Sequence, residues 1–116
     1  MSVAAVTRRE ARLWLAQRAS AAVLAVCVLV HLVLIIYAVR GGLTAAEILG
    51  RTRGSVAWLT FYLLFVAAVA VHAPIGVRTI LREMTDWRGR SLDHAAVLFG
   101  AVLAAFGARA VWGLFR

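Results

Sequence analysis

The sequence alternates between three long apolar stretches and shorter polar segments that carry most of the charges. The apolar stretches cover residues 19–39, 56–77 and 94–114, and none of them contains an aspartate, a glutamate or a lysine. An α-helix rises 1.5 Å per residue, so each stretch is long enough to cross a hydrocarbon core of about 30 Å. The pattern predicts an all-α membrane protein whose three transmembrane helices form an up-down-up bundle, as a single domain over residues 1–116.

The polar segments predict how these spans begin and end. Residues 1–18 mix arginines with apolar residues and a tryptophan, which is typical of a basic interfacial helix leading into the first span. Arg40 and the two glycines after it end that span. Residues 43–54 predict a short connection with a half-turn at residues 44–49, and residues 78–93 form the most charged loop.

Composition excludes a soluble domain. The chain is 64% hydrophobic with a mean hydropathy of +0.90, and a soluble domain of 116 residues could not bury that much apolar surface. The formal net charge is +8, and all thirteen basic residues are arginines, since the sequence has no lysine. These arginines lie in interfacial segments rather than along one soluble face. We therefore expect contact with the lipid bilayer and no binding of nucleic acid.

The distribution of arginine predicts the orientation in the membrane. Eight arginines lie on the side that holds the N-terminus and five on the other side. The eight are Arg8, Arg9, Arg12, Arg18, Arg78, Arg82, Arg88 and Arg90. By the positive-inside rule, we expect a multi-pass protein of a bacterial-type inner membrane with its N-terminus in the cytoplasm.

Two histidines, His31 and His72, lie inside the predicted spans. An ionisable residue within a span is costly to desolvate and is a functional-site hypothesis by default. On a helical wheel, the small residues Ala68 and Gly76 share the face of His72, which would leave room for a flat, bulky ligand. Pro74 predicts a kink and frees a backbone carbonyl on the same helix. The alternative is a neutral histidine hydrogen-bonded to a neighbouring helix.

The predicted depths of the two histidines differ. His31 lies thirteen residues from Arg18, about 20 Å from the N-terminal side, whereas His72 lies six residues from Arg78, about 9 Å from that side. A difference of roughly 10 Å means that the two are not expected to bind one iron together. His94 lies at the charged start of the third span, where we expect a cap or surface histidine.

Haem is the metal group that these histidines suit best, because the sequence contains no H-E-x-x-H motif and no carboxylate within a span. It also lacks a nucleophile beside a base and a glycine-rich phosphate loop, so we do not expect catalysis by this chain alone. Cys27 is the only cysteine and is expected to be a packing residue.

Over residues 12–116 the sequence resembles the cytochrome b membrane-anchor subunits, of the C or D type, of succinate dehydrogenase and fumarate reductase. Three features carry the resemblance. They are the three spans, the segment Gln17-Arg18-Ala19-Ser20 at the start of the first span, and His72 followed by Gly76-Val77-Arg78 and Glu83. Trp14 and Met84 depart from the family pattern, which has a quinone-contacting serine and, in one anchor type, a tyrosine at these positions.

The resemblance implies roles for individual residues. His72 matches the axial ligand of haem b, and His31 matches the additional ligand of anchors that carry two haems. Arg18 matches the arginine of the cytoplasmic quinone pocket, Ser20 lies in the quinone vicinity, and Arg78 lies near a haem propionate or quinone. The resemblance fits an anchor with one haem or with two.

As a function, the resemblance implies a haem b-binding anchor that carries electrons between an iron–sulfur subunit and the substrate quinone. The implied partners are a sister anchor subunit that shares the haem, the iron–sulfur subunit, a flavoprotein subunit and the bilayer. Two alternatives are a haem-free structural anchor of another membrane complex and a small transporter or holin-like protein. Small exporters usually rely on a carboxylate within the membrane, and the predicted spans contain none.

Overall fold

The computed structural model describes residues 2–116, which are almost entirely helical. The helices are α1 (Val3–Arg40), α2 (Ala45–Thr52), α3 (Val56–Met84) and α4 (Arg90–Phe115). Among these residues, three helices are long and apolar enough to cross a membrane, namely α1, α3 and α4. The predicted fold class is therefore confirmed, and the chain is a multi-pass membrane protein.

Helix α1 is one continuous helix of 38 residues, so the basic lead-in and the first span are not separate elements. At 1.5 Å per residue it is about 57 Å long, well beyond the thickness of a hydrocarbon core. It ends at the two predicted glycines, where Gly42 adopts a φ of 63° and the Leu43 N–H donates to the Ala38 carbonyl at 3.0 Å. The predicted half-turn after it is the eight-residue helix α2, which begins with a capping box between Thr44 and Glu47.

Helix α3 lies between α1 and α4 and packs along both of them. Its contact with α4 depends on glycine: a Cβ at Gly107 would lie 2.6 Å from Val66 Cγ1, and one at Gly100 would lie 2.9 Å from Pro74 Cγ. The Ala70 carbonyl, which Pro74 leaves without its helical donor, faces Gly100. Gly100 and Gly107, seven residues or about two turns apart, thus mark the close-packed face of α4.

Much of the apolar surface of the helices faces outward. Leu29, Val33, Val97 and Phe106 are each more than 60% exposed. Such a surface is stable only against lipid or another membrane subunit, because it would be costly to expose to water.

Candidate functional site

His72 lies on α3 opposite Ser20 of α1. The His72 Nδ1 atom is 3.5 Å from Ser20 Oγ, at the long end of the hydrogen-bonding range. Ser20 is buried, and its hydroxyl also lies 3.1 Å from the backbone carbonyl of Gln17. The imidazole is half-buried at the interface between the two helices.

The Gln17 side chain fills the space next to Gly76, one turn after His72. Its Nε2 atom lies 3.3 Å from the position that a Cβ on Gly76 would occupy, and its Oε1 atom is buried without a hydrogen-bond partner among the described residues. Ala68, on the same face, is also buried. The small residues beside His72 therefore accommodate α1, rather than leaving the open space for a ligand that the helical wheel suggests.

His31 lies among aromatic residues on the same pair of helices. Its Nδ1 atom is 3.2 Å from the Tyr62 hydroxyl. The imidazole is nearly perpendicular to the Tyr62 and Phe65 rings, in T-shaped contacts with centroid distances of 5.7 and 5.6 Å. His31 also lines an apolar groove of about 460 Å³ that runs between α3 and α4 past Phe106 and Gly107.

The two histidines lie further apart along the bundle than the sequence predicts. His72 is level with Ser20, which is eleven residues from His31 on α1, a distance of about 16 Å along the helix axis rather than roughly 10 Å. The difference arises because the prediction placed Arg18 and Arg78 at one membrane edge. The contact of Gln17 with Gly76 instead puts Arg18 level with about residue 75, one turn deeper than Arg78.

Arg78 is at the centre of an ion-pair cluster that joins α1, α3 and α4. It is 8% exposed, and its guanidinium donates to Asp93 at 2.8 Å and to Glu10 at 3.0 Å. Arg9 pairs with Asp93 at 2.8 Å, and Arg82 pairs with Glu10 at 3.2 Å. The guanidinium proposed to lie near a propionate or quinone is thus engaged by two carboxylates of this chain.

The cluster lowers the pKa of both carboxyl groups. For Glu10, the hydrogen bond from Arg78 is the main cause of the lowered pKa, and it outweighs the effect of burial. For Asp93, burial raises the pKa, but hydrogen bonds from Arg78 and Arg9 outweigh it and the net pKa is lowered. Both groups are therefore ionised near neutral pH and hold the helix ends together.

Arg18 lies apart from this cluster. It is exposed, and its guanidinium stacks on the Trp14 ring at 5.3 Å from the centroid. Among the sequence-predicted site residues, the structure brings Ser20 and His72 together and leaves Arg18, Arg78 and His31 each in a different environment. His94 is an exposed residue within α4, which begins four residues earlier at Arg90, so it does not cap the helix.

Sequence reasoning missed the partners of the site residues. Tyr62 sits beside His31, Gln17 lies against Gly76, and Glu10 and Asp93 pair with Arg78. The sequence did indicate possible partners for Arg78, because Glu10 and Asp93 are acidic residues in segments otherwise rich in arginine. Tyr62 carried no such signal, since a tyrosine in an apolar span is ordinarily an interface residue.

The histidine side chains offer the kind of donor that haem requires. Among the described residues, no three His, Cys, Asp or Glu side chains converge on one point. A haem iron needs only axial ligands from the protein, and a ligating histidine usually has its other nitrogen hydrogen-bonded. His31 and His72 meet that requirement, since Tyr62 and Ser20 contact their Nδ1 atoms.

Comparison with known proteins identifies the family. Residues 6–108 match the sequence model of the succinate dehydrogenase/fumarate reductase transmembrane subunit family. Searches of curated proteins and of solved structures give no match. The matched segment covers most of the 116 residues and includes both intramembrane histidines. The chain therefore belongs to the succinate dehydrogenase/fumarate reductase transmembrane subunit family and is a membrane-anchor subunit that associates with the catalytic subunits of such a complex.

Proposed function

We propose that this anchor subunit binds haem b and takes part in electron transfer between the iron–sulfur subunit and quinone. His72 would hold one haem, and His31 would hold a second. A sister anchor subunit would complete each site. The observation that carries the proposal is that each imidazole has an in-chain contact at Nδ1, while no described residue hydrogen-bonds Nε2.

Two separate haems are favoured by the distance between the histidines. Both axial ligands of one haem must contact the same iron atom, whereas His31 and His72 are about 16 Å apart along the helices. The apolar groove beside His31 supports its role, because a macrocycle needs a flat apolar surface next to its ligand. When bound, haem b supplies one-electron redox chemistry, and this chain holds it and excludes water from it.

Quinone contact is proposed for the N-terminal side of the bundle. Of the two candidate arginines, Arg18 is the better supported donor to a quinone or propionate, since Arg78 already donates to Glu10 and Asp93. Ser20 is buried and faces His72, which leaves its hydroxyl less accessible to quinone than the sequence suggests.

The proposed orientation puts the N-terminus, and with it the His72 end, on the cytoplasmic side where the catalytic subunits dock. The arginine counts of the two sides support this placement. Met84 lies at the N-terminal side and is 79% exposed. A Met84→Cys variant should react with a membrane-impermeant maleimide only after the cytoplasmic face is opened. Reaction in intact cells would contradict the orientation.

Haem quantification in the purified membrane complex tests the function. The parent should contain about two haems per complex, and His72→Ala and His31→Ala should each retain about one, because each loss removes an axial ligand. His94→Ala is the matched control, since His94 is exposed and lies outside the site. Pyridine haemochrome spectra give the counts.

The rival models predict different counts. In a single-haem complex His31 is a packing histidine held by Tyr62, so His31→Ala would keep all the haem and His72→Ala would keep none. A haem-free anchor would show no Soret absorption in the parent complex. Either result would overturn the two-haem proposal, and only the second would overturn haem binding altogether.

A further inference from the structure

The hydroxyl group of Ser20 lies between two possible hydrogen-bond partners at different distances. Its oxygen is 3.1 Å from the Gln17 carbonyl oxygen and 3.5 Å from His72 Nδ1. A serine hydroxyl has one proton and two lone pairs, so it can donate to only one of these atoms at a time. The shorter distance identifies the carbonyl as the acceptor. The serine then offers only a lone pair to the imidazole.

This arrangement determines which nitrogen of a neutral His72 carries the proton. If Ser20 presents a lone pair, Nδ1 must carry the hydrogen, because two acceptors facing each other would be repulsive. The Nε2 atom then keeps its lone pair. We infer that Ser20 is a positioning residue that holds His72 in the tautomer whose Nε2 is ready to bind iron, an inference that rests on the proposed haem ligation. In this assignment Ser20 supports the haem ligand, instead of contacting quinone as the resemblance implies.

Burial makes the effect of this contact large. Ser20 is 7% exposed, so water cannot readily replace its hydroxyl as a partner of the imidazole. Hydrogen-bonding partners of metal-ligating histidines fix the orientation of the ring, and their loss typically lowers affinity about 10- to 100-fold. The acceptor also makes the imidazole more electron-rich and favours the ferric state. Loss of the hydroxyl should therefore raise the midpoint potential of the haem next to His72.

Three variants of the full chain separate this role from packing. Ser20→Ala removes the hydroxyl, and Ser20→Thr keeps it. Cys27→Ala is the matched control, because Cys27 lies two turns further along α1, is 2% exposed and also loses one heavy atom. Each variant is prepared in lipid bilayers without haem, labelled with ¹⁵N-histidine, and studied by solid-state NMR at alkaline pH. A His72→Gln spectrum assigns the signals of His72. Haem affinity and midpoint potential are then measured in the assembled complex.

We expect the parent, Ser20→Thr and Cys27→Ala to show His72 protonated at Nδ1, whereas Ser20→Ala should shift it toward protonation at Nε2. Ser20→Ala should also lose about 10- to 100-fold in haem affinity and raise the midpoint potential. A parent protonated at Nε2, or an equal change in Cys27→Ala, would overturn the inference. If the parent shows the expected tautomer but the complex binds no haem, the proposed function fails while the role of Ser20 in setting the tautomer stands.

Discussion

The surroundings of His72 and His31 differ in nearly every respect, although both histidines lie where α1 meets α3. Next to His72 are small or polar side chains, Ser20 and Gln17, and six residues further along α3 lies the ion-pair cluster around the buried Arg78. Next to His31 are aromatic rings, and its one polar partner among residues 2–116 is the Tyr62 hydroxyl. Polar contacts thus surround His72, whereas aromatic packing surrounds His31.

The difference affects how firmly each imidazole is oriented. The Ser20 proton is directed to a backbone carbonyl, so the serine acts as an acceptor toward His72. The Tyr62 hydroxyl contacts only His31 among the described hydrogen bonds and can either donate or accept, so it fits both tautomers of that histidine. We therefore expect His72 to be preorganised for ligation and His31 to adapt to the group that it meets.

The largest loss of stability is expected from a substitution in the ion-pair cluster around Arg78. Arg78→Ala removes the one buried guanidinium of the cluster and leaves Glu10 with Arg82 and Asp93 with Arg9 as partners. Breaking a fully buried ion pair typically costs about 3–5 kcal/mol, and the loss here is smaller, about 1–3 kcal/mol, because both carboxylates are partly exposed and keep a partner. We expect a lower unfolding midpoint in detergent, measured by circular dichroism. Arg82→Ala is the control, because its side chain is 40% exposed and such pairs are worth only about 0–1 kcal/mol. Equal losses in the two variants would show that Arg78 is not central to the cluster.

Low pH should destabilise the ion-pair cluster around Arg78 before the rest of the bundle. Because the pKa of Glu10 is lowered from 4.5 and that of Asp93 from 3.8, the unfolded chain takes up protons before the folded chain does. Their stabilisation is complete above these values and is lost as the pH falls through the lowered pKa values. Hydrogen exchange should therefore increase near residues 10, 78 and 93 below about pH 4 before it increases around His31. Simultaneous exchange at both ends would argue against this local role.

The fold was predictable because it depends on long apolar stretches, glycine spacing and capping residues, all of which are local signals. The spans, the end of α1 at Gly42 and the face of Gly100 and Gly107 are of this kind. The partners of the site residues depend on which side chains of different helices meet at one level. Gln17 next to Gly76 and Tyr62 next to His31 could not be predicted, since a shift of one turn between α1 and α3 changes every such pair.

The predicted separation of His31 and His72 was too small for a similar reason. Arginine reaches the interface with a long side chain, so its position along the sequence marks the membrane edge only to within about a turn. Arg78 sits one turn further out than Arg18 and reaches the ion pair with Glu10. The separation of the two histidines therefore follows from the contacts between α1 and α3 and not from the sequence positions of the arginines.

The smallest change in stability is expected from alanine at Gly76, in contrast to alanine at Gly107 near the other end of the bundle. A methyl group at Gly76 would lie 3.3 Å from Gln17 Nε2, the flexible end of a side chain that can move aside. Alanine in a helix is favoured over glycine by about 1 kcal/mol, so Gly76→Ala should leave the unfolding midpoint unchanged or slightly raised. At Gly107 the same methyl group would lie 2.6 Å from the branched Val66 side chain, and overpacking typically costs about 1–3 kcal/mol.

Haem content of Gly76→Ala distinguishes two explanations for a small residue at this position. If Gly76 is small because α1 packs there, the variant should fold and keep the haem content of the parent, since the methyl group meets only Gln17. If it is small because the macrocycle approaches this face, a folded Gly76→Ala complex would lose haem. Thermal unfolding and pyridine haemochrome spectra on the same preparation separate the outcomes. A stable complex that has lost haem would restore the explanation suggested by the helical wheel and show that Gln17 moves aside when the cofactor binds.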